Sequence, residues 1–370
     1  MRPQTEVGDI LRVLGSGIEG IGLNTFQLRT LSALRRCRTA ELGGHADVCT
    51  ECGVVRVSYN SCRNRHCPKC QGNKRERWIQ ARNSELLPAP YFHVVFTLPE
   101  ELNAFCLRHP KEAYAILFKS AWETLLRFGK NKGIKPAMIA VLHTWGQTLN
   151  LHPHLHCIVP GGGICKNGKW KNIRVDGKFL FPVQALSAVF RAKYVALLRK
   201  NDLLTKTEIK PLFSKRWVVY AKRPFAHPSL VVEYLGRYTH KVAISNNRLI
   251  AYENGKVCFF YKDYRNAGTK KTMELDDTEF IRRFALHILP RGFVRIRHYG
   301  FLSSTSKKNT IPDIREQFGQ IEPVCTDVRK TQPFDPRICP CCGKPAMITL
   351  EIIPARGPPH IDGVTQFEVM

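Results

Sequence analysis

The sequence predicts an α+β protein with a small metal-binding module at its front. Three observations predict it. Stretches with helical apolar spacing alternate with short β-rich runs closed by proline or glycine. Six cysteines crowd residues 37–70. A content of 44% hydrophobic and 10% aromatic residues supplies a sizeable core. The 370 residues divide into a helical and zinc-binding part over 1–88, a larger unit over 89–303 and a polar tail over 304–370.

The elements follow in order. From Gly8 to Arg38 apolar residues at Ile10, Leu11, Leu14, Phe26, Leu28, Leu31 and Leu34 read as helix. The cysteine-rich segment spans about His45 to Cys70. A basic helix through Arg75, Trp78, Ile79 and Leu86 follows, and Pro88 and Pro90 end it. Tyr91 to Leu98 is a strand closed by Pro99. Helical spacing through Ala113, Ile116, Leu117 and Leu125 leads to two strands, Ala137 to Trp145 and His154 to Val159, and Pro160-Gly161-Gly162-Gly163 turns the chain. Pro182 opens a helix with Leu186, Val189, Phe190, Leu197 and Leu198 on one stripe. A further helix runs from Pro228 to about His240. Asn254-Gly255 is a hairpin turn between two strands. Asp276 with Glu279 resembles a capping box ahead of Phe280, Phe284 and Leu289, and Phe293 to Tyr299 is a strand. Beyond Ser303 the chain turns polar and proline-rich, apart from a cysteine cluster at 339–342.

Fifty-seven Lys and Arg against thirty Asp and Glu leave a formal charge of +27. Such a surface calls for a polyanionic partner, nucleic acid before an anionic membrane surface. No run of about 18 apolar residues occurs, and the first residues lack the apolar core of a secretory signal. A spanning or secreted protein is therefore not expected; a cytoplasmic one is.

Fourteen cysteines without a secretory signal point to metal rather than disulfides. Cys49-x2-Cys52 and Cys67-x2-Cys70 can each bend round one ion, and together they offer four thiolates for tetrahedral Zn²⁺. His45, Cys62, His66 and Cys37 are possible substitutes for one ligand. Such a closed site holds a fold and displays a surface, here the cations of Arg63, Arg65, Lys69, Lys74, Arg75 and Arg77, a phosphate-binding face. Cys339-x2-Cys342 is a half-site that needs help from elsewhere.

His154 and His156, two apart in a strand, project from one face and can present two imidazoles to one divalent ion. Gln147, His143 and His152 are the candidates for a third ligand. Open positions beside nitrogen ligands suit Mg²⁺ or Mn²⁺ held jointly with a phosphate. Tyr234 and Tyr238 lie four apart on one helix face, with Lys241 three beyond Tyr238. A phenol with a pKa of about 10 is a weak nucleophile at neutral pH, and a nearby cation with a metal-bound phosphate supplies the missing activation.

Zinc module, His152-Pro153-His154-Leu155-His156-Cys157 and Tyr234-x3-Tyr238-x2-Lys241, in that order, resemble the two-tyrosine transposases of rolling-circle insertion sequences, the IS91 group. Their His-hydrophobic-His signature, abbreviated HUH, matches His154-Leu155-His156. The likeness runs from about Cys37 to Tyr299 and includes Cys62-Arg63-Asn64-Arg65-His66-Cys67-Pro68-Lys69-Cys70. It implies an HUH-nuclease-like central antiparallel sheet with flanking helices, the histidines on a central strand and the tyrosine helix beside it. It also implies a tyrosine that attacks single-stranded DNA, at element ends and target, leaving a 5′-phosphotyrosine and a free 3′-OH. Tyr238 ranks as first nucleophile because Lys241 accompanies it. A replication initiator or relaxase with the same chemistry, and a non-catalytic zinc-dependent DNA-binding protein, are the alternatives on sequence.

Overall fold

Glycines break the N-terminal helical pattern in two. Val7–Leu14 forms α1 and Thr25–Arg35 forms α2, with a 3₁₀ stretch over Gly15–Ile21 between them. Asn24 caps α2: its side chain accepts from the Gln27 amide, and the Gln27 side chain accepts from the Asn24 amide. The computed structural model describes residues 5–173, 180–221, 225, 230–231, 234, 236, 239, 241–264, 266–319 and 335–355, with backbone alone for 72–75. After α2 come β1 (Gly44–Cys49), β2 (Val55–Tyr59) and α3 (Gly72–Asn83). The larger unit opens with β3 (Tyr91–Thr97), α4 (Asn103–Arg108), α5 (Pro110–Asn131), β4 (Met138–Trp145) and β5 (Leu151–Pro160). It continues with β6 (Gly162–Ile164), β7 (Trp170–Asn172), α6 (Val183–Lys200), α7 (Lys206–Ile209) and β8 (Val219–Ala221). Of the helix expected over 228–240, residues 230, 231, 234, 236 and 239 are described, and all five are helical.

A meander of β9 (Leu249–Glu253), β10 (Lys256–Asp263) and β11 (Thr269–Asp276) follows, then α8 (Asp277–Ala285) and β12 (Ile296–Tyr299). Asn254 and Gly255 turn between β9 and β10 with φ of 50° and 73°, the left-handed pair that the sequence predicts. Asp276 is the N-cap of α8, but Glu279 does not close a capping box; its carboxylate is held by Arg282 and Arg283. The chain past Ser303 carries two unexpected elements, α9 (Lys307–Gln317) and β13 (Met347–Ile353).

Five strands make the central antiparallel sheet, in the order β12-β4-β5-β3-β8. Period-two alternation sorts its side chains to two faces. Phe92, Val94 and Phe96, Ala140 and Leu142, and Leu155, Cys157 and Val159 point to one face and pack under α5 and α6, against Leu117, Phe118, Phe190 and Tyr194. The opposite face carries His93 on β3, His143 on β4, and His154 and His156 on β5. Tyr91, Val141 and Ile158 on that face pack with Ile79, Leu86 and Val231, so α3 and the helix of Tyr234 cover it. This is the α+β architecture expected.

The N-terminal helices bury Ile10, Leu11, Leu31 and Leu34 with Phe259, Phe280 and Phe284, so their core is shared with β10 and α8. The segment 335–355, read from sequence as a polar tail, returns to the front of the chain: β13 pairs along β1 in a sheet ordered β13-β1-β2. No helix among the described residues is long and apolar enough to cross a membrane.

Candidate active site and metal centres

Sheet register assembles the histidines. On β4 and β5, His143 faces His154 and Val141 faces His156, so all three imidazoles rise from one face. Their ligating nitrogens lie within 4.8 Å of one another. Nε2 of His154 is 3.2 Å from Nε2 of His156. Two nitrogens bound to one ion at about 2.1 Å, at angles between octahedral and tetrahedral, stand about 3.0–3.4 Å apart, so the pair fits a metal. The Nδ1–H of His154 donates to the His152 carbonyl at 2.6 Å, which leaves Nε2 as the ligating atom. Burial first, then the charges of His152, His93 and Lys241, hold His154 down at about 4, against the pull of its bond to His152. Burial followed by His143, His154, His93 and Lys241 lowers His156 well below the usual histidine range. Both imidazoles are therefore neutral at pH 7, the form that can coordinate a metal ion.

Gln147 does not join them. The register shifts after His143, β4 pairs once more at Trp145 with Leu151, and the chain beyond it contacts β10. There the Gln147 side-chain oxygen accepts from the Lys262 amide at 3.3 Å, and its carbonyl accepts from Arg248. The structure brings His143, and not Gln147, to the paired imidazoles. His152 lends its carbonyl rather than its ring.

His93, which the sequence reading passed over, completes the cluster. Its Nε2 is 2.9 Å from Nδ1 of His156, with the rings stacked at 5.1 Å. Its Nδ1 is 3.5 Å from the Tyr234 hydroxyl, and the two rings meet edge to face. The signal was present: His93 is two residues from Val95, which pairs with His156, so it shares that face. Tyr238 lies outside the described residues. Lys241 is close enough for its charge to act on both His154 and His156, and burial, with the cations of Arg248 and Lys262, lowers its own pKa. Arg295, nearly buried, donates to the carbonyls of Thr239 and Lys241 and so ties the end of the tyrosine helix to the chain beside β4.

The cysteines divide differently from the sequence reading. The expected single site of Cys49, Cys52, Cys67 and Cys70 is split. Cys67 and Cys70 stand with Cys37 and Cys62, at Sγ–Sγ distances of 3.5 Å (Cys37–Cys70), 3.6 Å (Cys37–Cys67) and 3.7 Å (Cys62–Cys70). A tetrahedron with Zn–S bonds of about 2.3 Å has sulfur edges of about 3.8 Å, so this tetrad fits zinc. Cys49 and Cys52 stand instead beside Cys339 and Cys342. The reason is tertiary: β1 carries Cys49 to the far end of its sheet, while the loop after β2 folds back on the end of α2.

The expected phosphate-binding cations separate too. Arg65 is spent inside the fold, donating to the carbonyls of Leu289, Pro290 and Phe293. Lys69 pairs with Glu6. Arg63 lines a cavity of about 910 Å³ with Arg38 and Arg56, and Arg77 is exposed on α3. The side chains of Lys74 and Arg75 lie outside the described residues.

Comparison with known proteins agrees with this geometry. A family model described as a putative transposase matches residues 137–310, the region of His143, His154, His156 and the two tyrosines. A second, described as a transposase zinc-binding domain, matches residues 18–98. No solved structure matches. A transposase for insertion sequence element IS801 of Pseudomonas savastanoi pv. phaseolicola is 28% identical, over 90% of this chain and 86% of its own. A putative transposase, y4qJ, of Sinorhizobium fredii is 42% identical, over 97% of this chain and 98% of its own. An ordered histidine face beneath a tyrosine helix, a fitted cysteine tetrad within the matched zinc-binding domain, and near full-length likeness place the chain in the IS91 family of transposases.

Proposed function

We propose that this transposase cuts and rejoins single-stranded DNA, at element ends and target, through a tyrosine in rolling-circle transposition. One observation carries the reading: three imidazoles meet on one sheet face, with Tyr234 reaching them through His93. In the cleavage step a tyrosine oxygen forms a bond to the scissile phosphorus and the bond from phosphorus to the 3′ oxygen breaks. The phenol proton passes to solvent base, and the departing oxygen takes a proton to become the 3′-OH. The 5′-phosphotyrosine keeps one phosphodiester-like bond, so rejoining needs no nucleotide. Tyr238 acts first, because Lys241 stands three residues beyond it, and Tyr234 serves the second cut.

His143, His154 and His156 would hold Mg²⁺ or Mn²⁺, which supplies Lewis-acid polarisation of the phosphate when bound. With Nε2 of His156 given to the ion, its Nδ1 carries the proton and donates to Nε2 of His93. Neutral His93 then keeps its proton on Nδ1, facing the Tyr234 oxygen. His93 is thereby a positioning donor that stabilises phenolate rather than a base that takes its proton. Cys37, Cys62, Cys67 and Cys70 hold structural zinc, and Arg63, Arg77, Lys74 and Arg75 meet phosphates.

The test uses labelled single-stranded element-end DNA with Mn²⁺. An SDS-resistant adduct is expected from the native protein, and Tyr234→Phe with Tyr238→Phe together should abolish it while salt-sensitive binding persists. An adduct that survives in the double variant removes both tyrosines as nucleophiles.

A further inference from the structure

The two ends of the described chain meet in a second sulfur cluster. The Cys49 and Cys342 sulfurs are 3.7 Å apart, as are those of Cys52 and Cys339, and all four lie within 4.8 Å of one another. These cysteines are unbridged, and the spacing is far from the about 2.05 Å of a disulfide. It matches the sulfur edge of about 3.8 Å in a tetrathiolate zinc site. We infer that Cys49, Cys52, Cys339 and Cys342 bind a second structural Zn²⁺, a clasp that fastens the segment 335–355 to the N-terminal module.

The backbone is built for it twice over. In Cys49-Thr50-Glu51-Cys52-Gly53 the Gly53 amide donates to the Cys49 carbonyl and the Cys49 amide to the Val54 carbonyl, at 2.9 and 3.0 Å. In Cys339-Pro340-Cys341-Cys342-Gly343 the Gly343 amide donates to the Cys339 carbonyl and the Cys339 amide to the Lys344 carbonyl, at 2.9 and 2.8 Å. Gly53 and Gly343 both take the left-handed conformation, at φ of 70° and 74°. Two loops of one geometry, 287 residues apart at Cys52 and Cys339, face each other sulfur to sulfur. The Thr50 amide also donates a hydrogen bond to the Ala346 carbonyl at 2.9 Å.

Packing gives the second, independent argument. The sheet β13-β1-β2 has almost no apolar core: its buried cluster is Cys49, Cys339 and Met347, joined by half-buried Val54 and Ala346. Val55 and Val57 on β2 and Ile348, Leu350 and Ile352 on β13 are exposed. A unit this small, with so little apolar burial, needs a cross-link to hold its strands. An ion shared by the two knuckles provides one. It also contributes to the cavity described above, since Ile338, Pro340 and Met347 line it together with Arg38, Arg56 and Arg63.

The full chain, purified under reducing conditions, tests this without any DNA reaction. Cys339→Ser with Cys342→Ser should lose one zinc equivalent against the native protein, and the thiolate-to-cobalt charge-transfer intensity after Co²⁺ exchange should fall by about half. Hydrogen exchange should accelerate in Gly44–Cys49 and Met347–Ile353 while β4 and β5 stay protected. Cys339→His keeps four ligands and guards against simple misfolding: it should retain its metal and lose about one-eighth of the charge-transfer intensity. Unchanged zinc and cobalt intensity in the serine variant, an unchanged spectrum in the histidine variant, or equal protection of β13 with and without these cysteines would each overturn the clasp.

Discussion

His143 and Gln147 lie four residues apart, and strand pairing separates their fates. His143 is held opposite His154 by the β4–β5 ladder, whereas Gln147 follows the register shift into contact with β10. His143→Ala should weaken Mn²⁺ binding by more than about 10-fold in calorimetric titration, while Gln147→Ala leaves it within about twofold. Equal losses in both variants would sink the three-histidine set. A second residue-scale prediction concerns acid. His287 is buried and held down at about 4 by that burial. Its Nε2–H donates to the Leu149 carbonyl at 3.0 Å, and Nδ1 accepts from the Thr144 hydroxyl at 3.1 Å. The folded pKa lies below the unfolded value of about 6.5, so the unfolded chain binds the extra proton between the two. Stability is therefore full above pH 6.5 and falls as pH drops from about 6.5 to about 4, by up to about 3 kcal/mol from this residue. Denaturant midpoints at pH 7 and pH 5 should converge in His287→Gln relative to the native protein.

Elements bring the site's parts to one place, and each leans on a buried anchor. Leu155 sits between the two paired histidines and points the other way, fully buried in the core under α5 and α6. That burial pins the pleat of β5, so His154 and His156 have no freedom to turn away. Leu155→Ala should cost about 2–5 kcal/mol in denaturant unfolding. Arg295 does for the tyrosine helix what Leu155 does for β5. Its guanidinium satisfies the carbonyls of Thr239, in that helix, and of Lys241, just beyond it. Arg295→Met should destabilise by about 1–3 kcal/mol and slow adduct formation, while Mn²⁺ affinity stays near native. Loss of metal binding in that variant would mean that Arg295 supports the histidines rather than the helix.

Across the whole molecule, charge decides how DNA is met. A formal charge of +27 makes association salt-sensitive, but the cations are not equivalent. Arg77 is exposed on α3, whereas Arg65 is committed to three carbonyls of residues 289–293. Arg77→Ala should reduce the slope of log affinity against log salt by about 0.7 for single-stranded DNA, measured by fluorescence anisotropy. Arg65→Ala should leave that slope unchanged and lower the melting temperature instead, because three partly buried carbonyls lose their donor.

Much of this protein was legible in one dimension. Short-range signals determined the α+β class, the strand carrying His154 and His156, the Asn254-Gly255 turn and the presence of thiolate metal sites, because periodicity, turn chemistry and Cys-x2-Cys spacing act over a few residues. Tertiary structure decided the partners. Which cysteines cluster together, which residue stands beside the paired imidazoles, and which arginines face solvent all depend on strand register and loop paths between residues tens to hundreds of positions apart. β13 illustrates the difference: its exposed strand signals nothing alone, and only pairing with β1 brings Cys339 and Cys342 to Cys49 and Cys52. Local sequence names the ligand types; long-range packing, which no spacing rule encodes, chooses their company.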